Sequence, residues 1–365
     1  VQTFFISKAI GYLLRILIFS INSEIMEKEI LLTFFMGMDL IDIISFIFTL
    51  LVQFYLFSKG QHVVRLIIKF SAFFVYFGLV IFLIMITEHY DEVLNSLKIT
   101  LNFNDFFSKS NIPPLITVIG TMFAFYSIII LNFGDFSRYV KNKDQLIKGN
   151  LSILLNFVLF SFFAILIVIG SDIILTKNMI ELDRLLTNPN DIIGKIDNTF
   201  LTIIVLLFIL VASCSTNLIA NYIPSQNVVI NFLPQKLDLN KSGTIITILA
   251  FIVGIFWLPI LSQVGALSII DTLGSVFGPI FGVMIVDYFI INKSKLESKD
   301  IYSLESSGSY YYSSGWHIKA AYSIFIGFVF AASTIWNINL NFLQPFSWLI
   351  GAIMSFITYY LLVKK

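Results

Sequence analysis

The chain has 365 residues, of which 58% are hydrophobic and only 12% charged, with a net charge of +1 and a mean hydropathy of +0.90. A water-soluble core of this size cannot hide so much apolar surface, so lipid is the expected solvent. The near-neutral charge and dispersed basic residues exclude nucleic acid and other acidic polymers as partners.

A hydrocarbon layer of about 30 Å takes about 20 apolar helical residues to cross, and windows of that kind recur along the chain. They predict about ten spans, at approximately 1–20, 37–57, 66–87, 114–134, 150–175, 200–221, 243–262, 264–291, 317–338 and 343–363. Runs such as Phe157 to Ile169 are apolar on nearly every face. Barrel strands alternate instead, so the expected class is an all-α polytopic membrane protein, with residues 1–365 as a single integral membrane domain. Val1 falls inside an apolar run with no charged leader and no cleavage site. A signal peptide is therefore not expected, and a truncated reading frame is the simplest account of the start.

The connecting segments alternate in charge. One set carries Lys59, Arg65 and Lys69, then Arg138, Lys141, Lys143 and Lys148, then Lys236 and Lys241, Lys293 to Lys319, and finally Lys364 and Lys365. The other is acid-rich, with Glu24, Glu27, Glu29, Glu88, Asp91, Glu92, Glu181, Asp183, Asp191 and Asp197. By the positive-inside rule the first set faces the cytoplasm, which places the C-terminus there in a cytoplasmic or plasma membrane. The segment 176–198 mixes leucines with charges, so it either lies along the outer interface or forms a solvated loop.

Within the spans, polar residues are the informative ones. Gln2 shares a rough face with Phe5 and Ala9, and Lys8 lies elsewhere on that helix. Asp39, Asp42 and Asp271 are functional candidates by default, the first two also reading as outer-interface residues. The span at 114–134 holds Phe123, Phe125 and Tyr126, rings able to stack on a flat heterocycle, although with 39 phenylalanines any one ring also reads as core or lipid-facing. Asp135 and Arg138, at i and i+3, read as a local ion pair.

The stretch from Ala212 to Asn221 is a polar cluster in an aliphatic span. Ala212, Ser215 and Thr216 share one helical face, and Asn217 and Asn221 another. Two hydroxyls beside a carbonyl suit a hard monovalent cation, and two carboxamides one turn apart suit a planar ligand with alternating donors and acceptors. The same residues serve equally well as glue between helices. Cys214, the single cysteine, reads as a small packing residue. His62, His89 and His317 lie in or beside loops without metal-binding spacing, and no Walker loop, nucleophile elbow or paired catalytic acids occur. No cofactor and no enzyme activity are expected; transport would be driven by an ion gradient.

Three stretches carry a family resemblance: Asn132 to Tyr139, Ser215-Thr216-Asn217 with Ala220-Asn221, and Leu273-Gly274 through Gly282-Val283-Met284-Ile285-Val286-Asp287-Tyr288 to Ile301-Tyr302. Their order and spacing resemble the nucleobase:cation symporters that carry hydantoins, allantoin, uracil, cytosine, purines and thiamine. Many members have Pro where this chain has Gly134. The resemblance implies an inverted five-plus-five helix repeat with two further helices, the ten spans here matching helices three to twelve of twelve. It also implies a substrate site in which Gln2 and Asn221 make the polar contacts, Asn217 supports Asn221, and Tyr126, beside Phe125, takes the stacking position usually held by tryptophan. Ala212 through its carbonyl, with Ser215 and Thr216, would contribute half of a sodium site, with a proton as the other possible coupling ion.

The leading expectation is therefore cation symport of a nucleobase-like heterocycle by alternating access. A same-fold carrier for amino acids is the first alternative. It would be expected to hold a carboxylate at a helix N-terminus, whereas amides and rings favour a neutral flat ligand. A non-transporting binding protein or inactive fragment is the second alternative, and a membrane-embedded enzyme the third.

Overall fold

The computed structural model describes residues 2–59, 61–85, 89–100, 108–138, 140–177, 192–193, 198–233, 235–297, 299–303 and 305–364. Most of the expected interfacial segment 176–198 lies outside them, as do Val1, Glu88, Tyr139, Glu181, Asp183, Asp191, Asp197 and Lys365.

The described chain is helical, with two isolated bridges, Phe35 with Met38 and Ser313 with Trp316, and no strand among the described residues. The main helices are α1 (Gln2–Ile21), α2 (Leu40–Ser58), α3 (Gln61–Met85), α4 (Tyr90–Thr100), α5 (Ile112–Leu131), α6 (Lys143–Lys177), α7 (Thr199–Asn217), α8 (Ile223–Phe232), α9 (Leu239–Val264), α10 (Ala266–Ile285), α11 (Ile318–Trp336) and α12 (Ser347–Val363). Nine helical segments among the described residues are long and apolar enough to cross a membrane, and they coincide with nine of the ten expected spans. The remaining expectation, 66–87, falls on α3, whose apolar stretch Leu66–Ile81 is shorter. The protein is thus a multi-pass integral membrane protein.

The chain divides into two compact units. The first comprises Val1–Asn102 and Val140–Ile260, the second Phe103–Tyr139 and Leu261–Lys365.

In the first unit α1 packs against α2 and α7, and α7 packs against α3. Local chemistry sets the helix starts. The Asp39 carboxylate accepts the Asp42 amide at 2.8 Å to cap α2, and the Asn198 side chain accepts the Leu201 amide at 3.0 Å to cap α7. Ala9, Ile167, Ile192, Ile193, Val205 and Leu206 form one buried cluster, and Phe4, Met38, Phe46 and Leu50 another.

Between α7 and α8 the helix widens into a π turn at Leu218–Tyr222. Pro224, in the first turn of α8, explains it: proline has no N–H for the carbonyl four residues back and its ring crowds that carbonyl, so the preceding turn opens. Such bulges concentrate at functional sites. Leu218 and Tyr222 anchor the turn, the Tyr222 hydroxyl donating to the Gly243 carbonyl at 2.9 Å.

In the second unit α10 packs against α5, α11 and α12. Gly274, Gly278 and Gly282 repeat every four residues on α10. A methyl group there would collide with Ala124, with the Trp348 carbonyl and with the Ala352 carbonyl respectively. Close approach through small residues is how helices associate in lipid, where no hydrophobic force separates helix from tail. Replacing Gly282 by Val is expected to cost about 1–3 kcal/mol by overpacking, read as a lower unfolding temperature in detergent. Gly149→Ala on α6, where a methyl meets nothing within 4 Å, should leave that temperature unchanged or raise it.

Candidate functional site

The polar end of α7 presents two faces, as its spacing predicts. On one, the Ala212 carbonyl accepts the Ser215 hydroxyl at 2.8 Å and the Thr216 hydroxyl at 2.9 Å. Ser215 is buried and Thr216 exposed. Each hydroxyl spends its proton on the carbonyl and keeps its lone pairs, so two hydroxyl oxygens with lone pairs to offer sit beside that carbonyl on a single helix turn. Hard cations take ligands of this kind.

On the other face, amides from three helices join. The Asn217 amide nitrogen donates to the Thr3 hydroxyl and to Gln53 Oε1, both at 3.0 Å, and the Thr3 hydroxyl donates to Gln53 Oε1 at 3.2 Å. The Asn221 nitrogen donates to Asn217 Oδ1 at 2.8 Å and to Gln2 Oε1. Thr3, Gln53 and Asn217 are buried, Gln2 is half-buried and Asn221 is exposed. The network thus runs from a dry interior to an open face, and its two outermost amides, Gln2 and Asn221, are bonded to each other. Asn221 lies within the widened segment, one turn beyond Asn217.

Sequence reasoning singled out Gln2, Asn217 and Asn221, and these three are brought together. Thr3 and Gln53 were not singled out. Gln53 is a carboxamide deep in the apolar second span, which is the signal that marks it.

Phe125 and Tyr126 belong to the second unit. Phe125 is exposed and meets Tyr126 edge to face, with centroids 5.2 Å apart. Phe123 stacks on Trp348 at 5.8 Å, a packing role. Asp271 is buried and accepts the Gln344 amide at 2.8 Å, and Asp135 pairs with Arg138 at 3.7 Å.

Asp39 and Asp42 hold α1 to α2. Lys8 Nζ lies 2.5 Å from Asp42, and Arg15 lies 2.5 Å from Asp39 and 2.9 Å from Asp42. Lys8 and Arg15 are seven residues apart, two turns along one face, with Gly11 between them leaving room for the guanidinium. Two cations and two anions therefore neutralise each other. The spacing of Lys8 and Arg15 was visible in the sequence; the helix they would meet was not.

The second unit holds another polar chain. The Tyr359 hydroxyl donates to Asp287 at 2.6 Å, so the 2.7 Å contact with His317 Nε2 has the imidazole N–H as donor. Tyr312 stacks on His317 at 3.9 Å. Burial lowers the His317 pKa, with Asp287 opposing it.

The family profile described as a permease for cytosine/purines, uracil, thiamine and allantoin matches residues 1–362. An allantoin permease of Bacillus subtilis is 28% identical over 259 residues, 71% of this chain and 51% of that protein. A purine-uracil permease of Arabidopsis thaliana is 27% identical, over 56% of this chain and 33% of that protein. A putative allantoin permease of Escherichia coli is 25% identical, over 68% and 50%. The matches thus span about half the length of the bacterial relatives and a third of the plant one. No solved structure matches the chain.

Proposed function

Because this chain belongs to the family of permeases for cytosine/purines, uracil, thiamine and allantoin, we propose that it carries a nucleobase or related planar heterocycle across a membrane, by cation symport and alternating access. No covalent chemistry is involved. The observation that carries this reading is the pair of outermost amides, Gln2 at the start of α1 and Asn221 on the widened helix turn, bonded to each other and backed by buried Asn217. A carboxamide offers both a donor and an acceptor, the combination that the N–H and C=O edge of such heterocycles requires.

In this reading Gln2 and Asn221 contact the substrate and Asn217 supports Asn221. Phe125 and Tyr126 supply stacking rings, a role drawn from the sequence resemblance. The Ala212 carbonyl with the Ser215 and Thr216 hydroxyls contributes to the coupling-ion site. The ion is sodium in the leading form of the proposal and a proton in the other. The cation would favour the outward-facing state, substrate would complete the site, and both would leave on the inner side, where charge asymmetry puts the C-terminus. Coupling of this kind requires differential affinity for the two states and nothing more.

The test is uptake of labelled uracil, cytosine, allantoin and hydantoin, with and without sodium, into cells lacking these activities. Sodium-dependent accumulation of one compound supports the proposal. Absence of accumulation of any, with the protein shown in the membrane, contradicts it. Thr216→Val, which removes one cation oxygen at nearly constant volume, should raise the sodium concentration for half-maximal uptake at least about tenfold, about 1.4 kcal/mol. Uptake indifferent to sodium and following an imposed proton gradient would refute the sodium form.

A further inference from the structure

We propose that the second unit carries a phospholipid site where α10 and α12 end and α11 begins, for a lipid whose headgroup combines a phosphate with a primary amine. Such a site does not depend on what the protein carries across the membrane.

All of its residues belong to Leu261–Lys365. A cavity of about 590 Å³ is lined by Lys295 and Lys319 and by Asp287 and Glu297. Ile318 and Val363, the first residue of α11 and the last of α12, line it too, so it lies at the level where the spans leave the membrane. An apolar groove of about 430 Å³ shares Ser313 and Ile318 with this cavity, and its other lining residues are Trp316, Ala321, Tyr322 and Phe325. Ile318, Ala321, Tyr322 and Phe325 stand at i, i+3, i+4 and i+7, so they share one face of α11 over about 10 Å of its length. Trp316, Tyr322 and Phe325 are exposed, which turns that face to lipid. Tryptophan and tyrosine favour this depth, with the ring in the layer between headgroups and tails. Cavity and groove are thus continuous, polar at the membrane surface and apolar along the span, as a phospholipid is.

The charges in the cavity specify the headgroup. Neither Lys295 nor Lys319 forms an ion pair among the described residues, and neither do Asp287 and Glu297. Two cations and two anions therefore line one cavity without meeting each other. The acidic lining is held in place. Asp287 lies in a second π turn, Val286–Ile291, and accepts the Tyr359 hydroxyl at 2.6 Å and the Asn292 amide at 2.9 Å. Glu297 accepts the Ser309 hydroxyl at 2.8 Å, and the Ser309 amide is tied to Asp300 at 2.9 Å. A carboxylate has about four lone-pair sites, so both acids keep acceptor capacity after these bonds.

A lipid phosphate pairs with lysine ammonium groups, and a primary ammonium with carboxylates. Phosphatidylethanolamine brings one group of each kind and matches the cavity charge for charge. Phosphatidylglycerol brings only the phosphate and sets a net negative headgroup against Asp287 and Glu297. The quaternary ammonium of phosphatidylcholine has no N–H to donate to them.

The experiment is binding of these three lipids, with identical acyl chains, to the purified and delipidated chain, read by native mass spectrometry as the affinity of the first lipid bound. Wild-type protein should hold phosphatidylethanolamine at least about tenfold more tightly than either of the others. Glu297→Gln keeps an oxygen for Ser309 and removes the charge; it should weaken phosphatidylethanolamine about tenfold and leave phosphatidylglycerol unchanged or tighter. Ala321→Trp fills the groove and should weaken phosphatidylethanolamine at least about tenfold. Both positions are exposed, so the fold should survive either change. Glycerophosphoethanolamine, the same headgroup without acyl chains, should not displace the lipid at comparable concentration. Equal affinity for the three lipids, preference for phosphatidylglycerol or phosphatidylcholine, a preference untouched by Glu297→Gln, affinity untouched by Ala321→Trp, or displacement by the acyl-free headgroup each overturns the inference.

Discussion

Replacing Asn221 by Ala should abolish measurable substrate binding, a loss of at least about 100-fold, while the protein still inserts and folds. The expected size follows from what is removed. Asn221 is the exposed end of the amide network, and truncation deletes the substrate contact and strips donors from Asn217 Oδ1 and Gln2 Oε1 together. Losing a hydrogen bond to a substrate group that then stays unpaired costs about 1–3 kcal/mol, and each 1.4 kcal/mol is tenfold in affinity. The fold should tolerate the change because the side chain is exposed, and the π turn around it is held by Leu218 and Tyr222. Equilibrium binding of labelled uracil or allantoin, paired with an unfolding temperature in the same detergent, separates the two effects. Unchanged affinity would remove Asn221 from the site.

The second large effect is expected at Asp42. Its carboxylate pairs with both Lys8 and Arg15 and its side chain is 6% exposed. Asp42→Ala leaves Lys8 without its partner and Arg15 with Asp39 alone. Breaking a buried ion pair by removing one partner costs about 3–5 kcal/mol, because an uncompensated charge stays behind in a poorly solvated place. The unfolding temperature should fall by several degrees or the protein should fail to accumulate in the membrane. Removing Lys8 as well should restore part of the loss, since the second substitution takes away the stranded charge. A double variant no more stable than Asp42→Ala would show that Lys8 and Asp42 are not coupled.

The contrast between Asp42 and Asn221 shows how far the sequence could be read. Spans were legible because lipid imposes one constraint, about 20 apolar helical residues, and it can be counted along the chain. The faces at the end of α7 were legible for a similar reason. Ala212, Ser215 and Thr216, and likewise Asn217 and Asn221, are related by helical spacing alone, and the hydrogen bonds among them follow it. The ion-pair network was not legible. Asp39 and Asp42 read as interface residues and Lys8 as lying elsewhere, because which face of α1 meets α2 depends on packing between residues about 30 positions apart. Gln53 was missed for the same reason, since its partners Thr3 and Asn217 come from two other helices. The π turn at Leu218–Tyr222 stands between these cases: Pro224 announces a break, but spacing does not say that it widens the helix at Asn221.

The measurement that bears most directly on the central claim is accumulation of labelled uracil or allantoin by proteoliposomes containing the purified chain, under an inward sodium gradient and, separately, an inward proton gradient. The account predicts that the sodium gradient concentrates one of these compounds inside above its external level, and that Asn221→Ala eliminates the effect. Binding of the compound to the protein without accumulation under either gradient would identify a non-transporting binding protein and contradict the account.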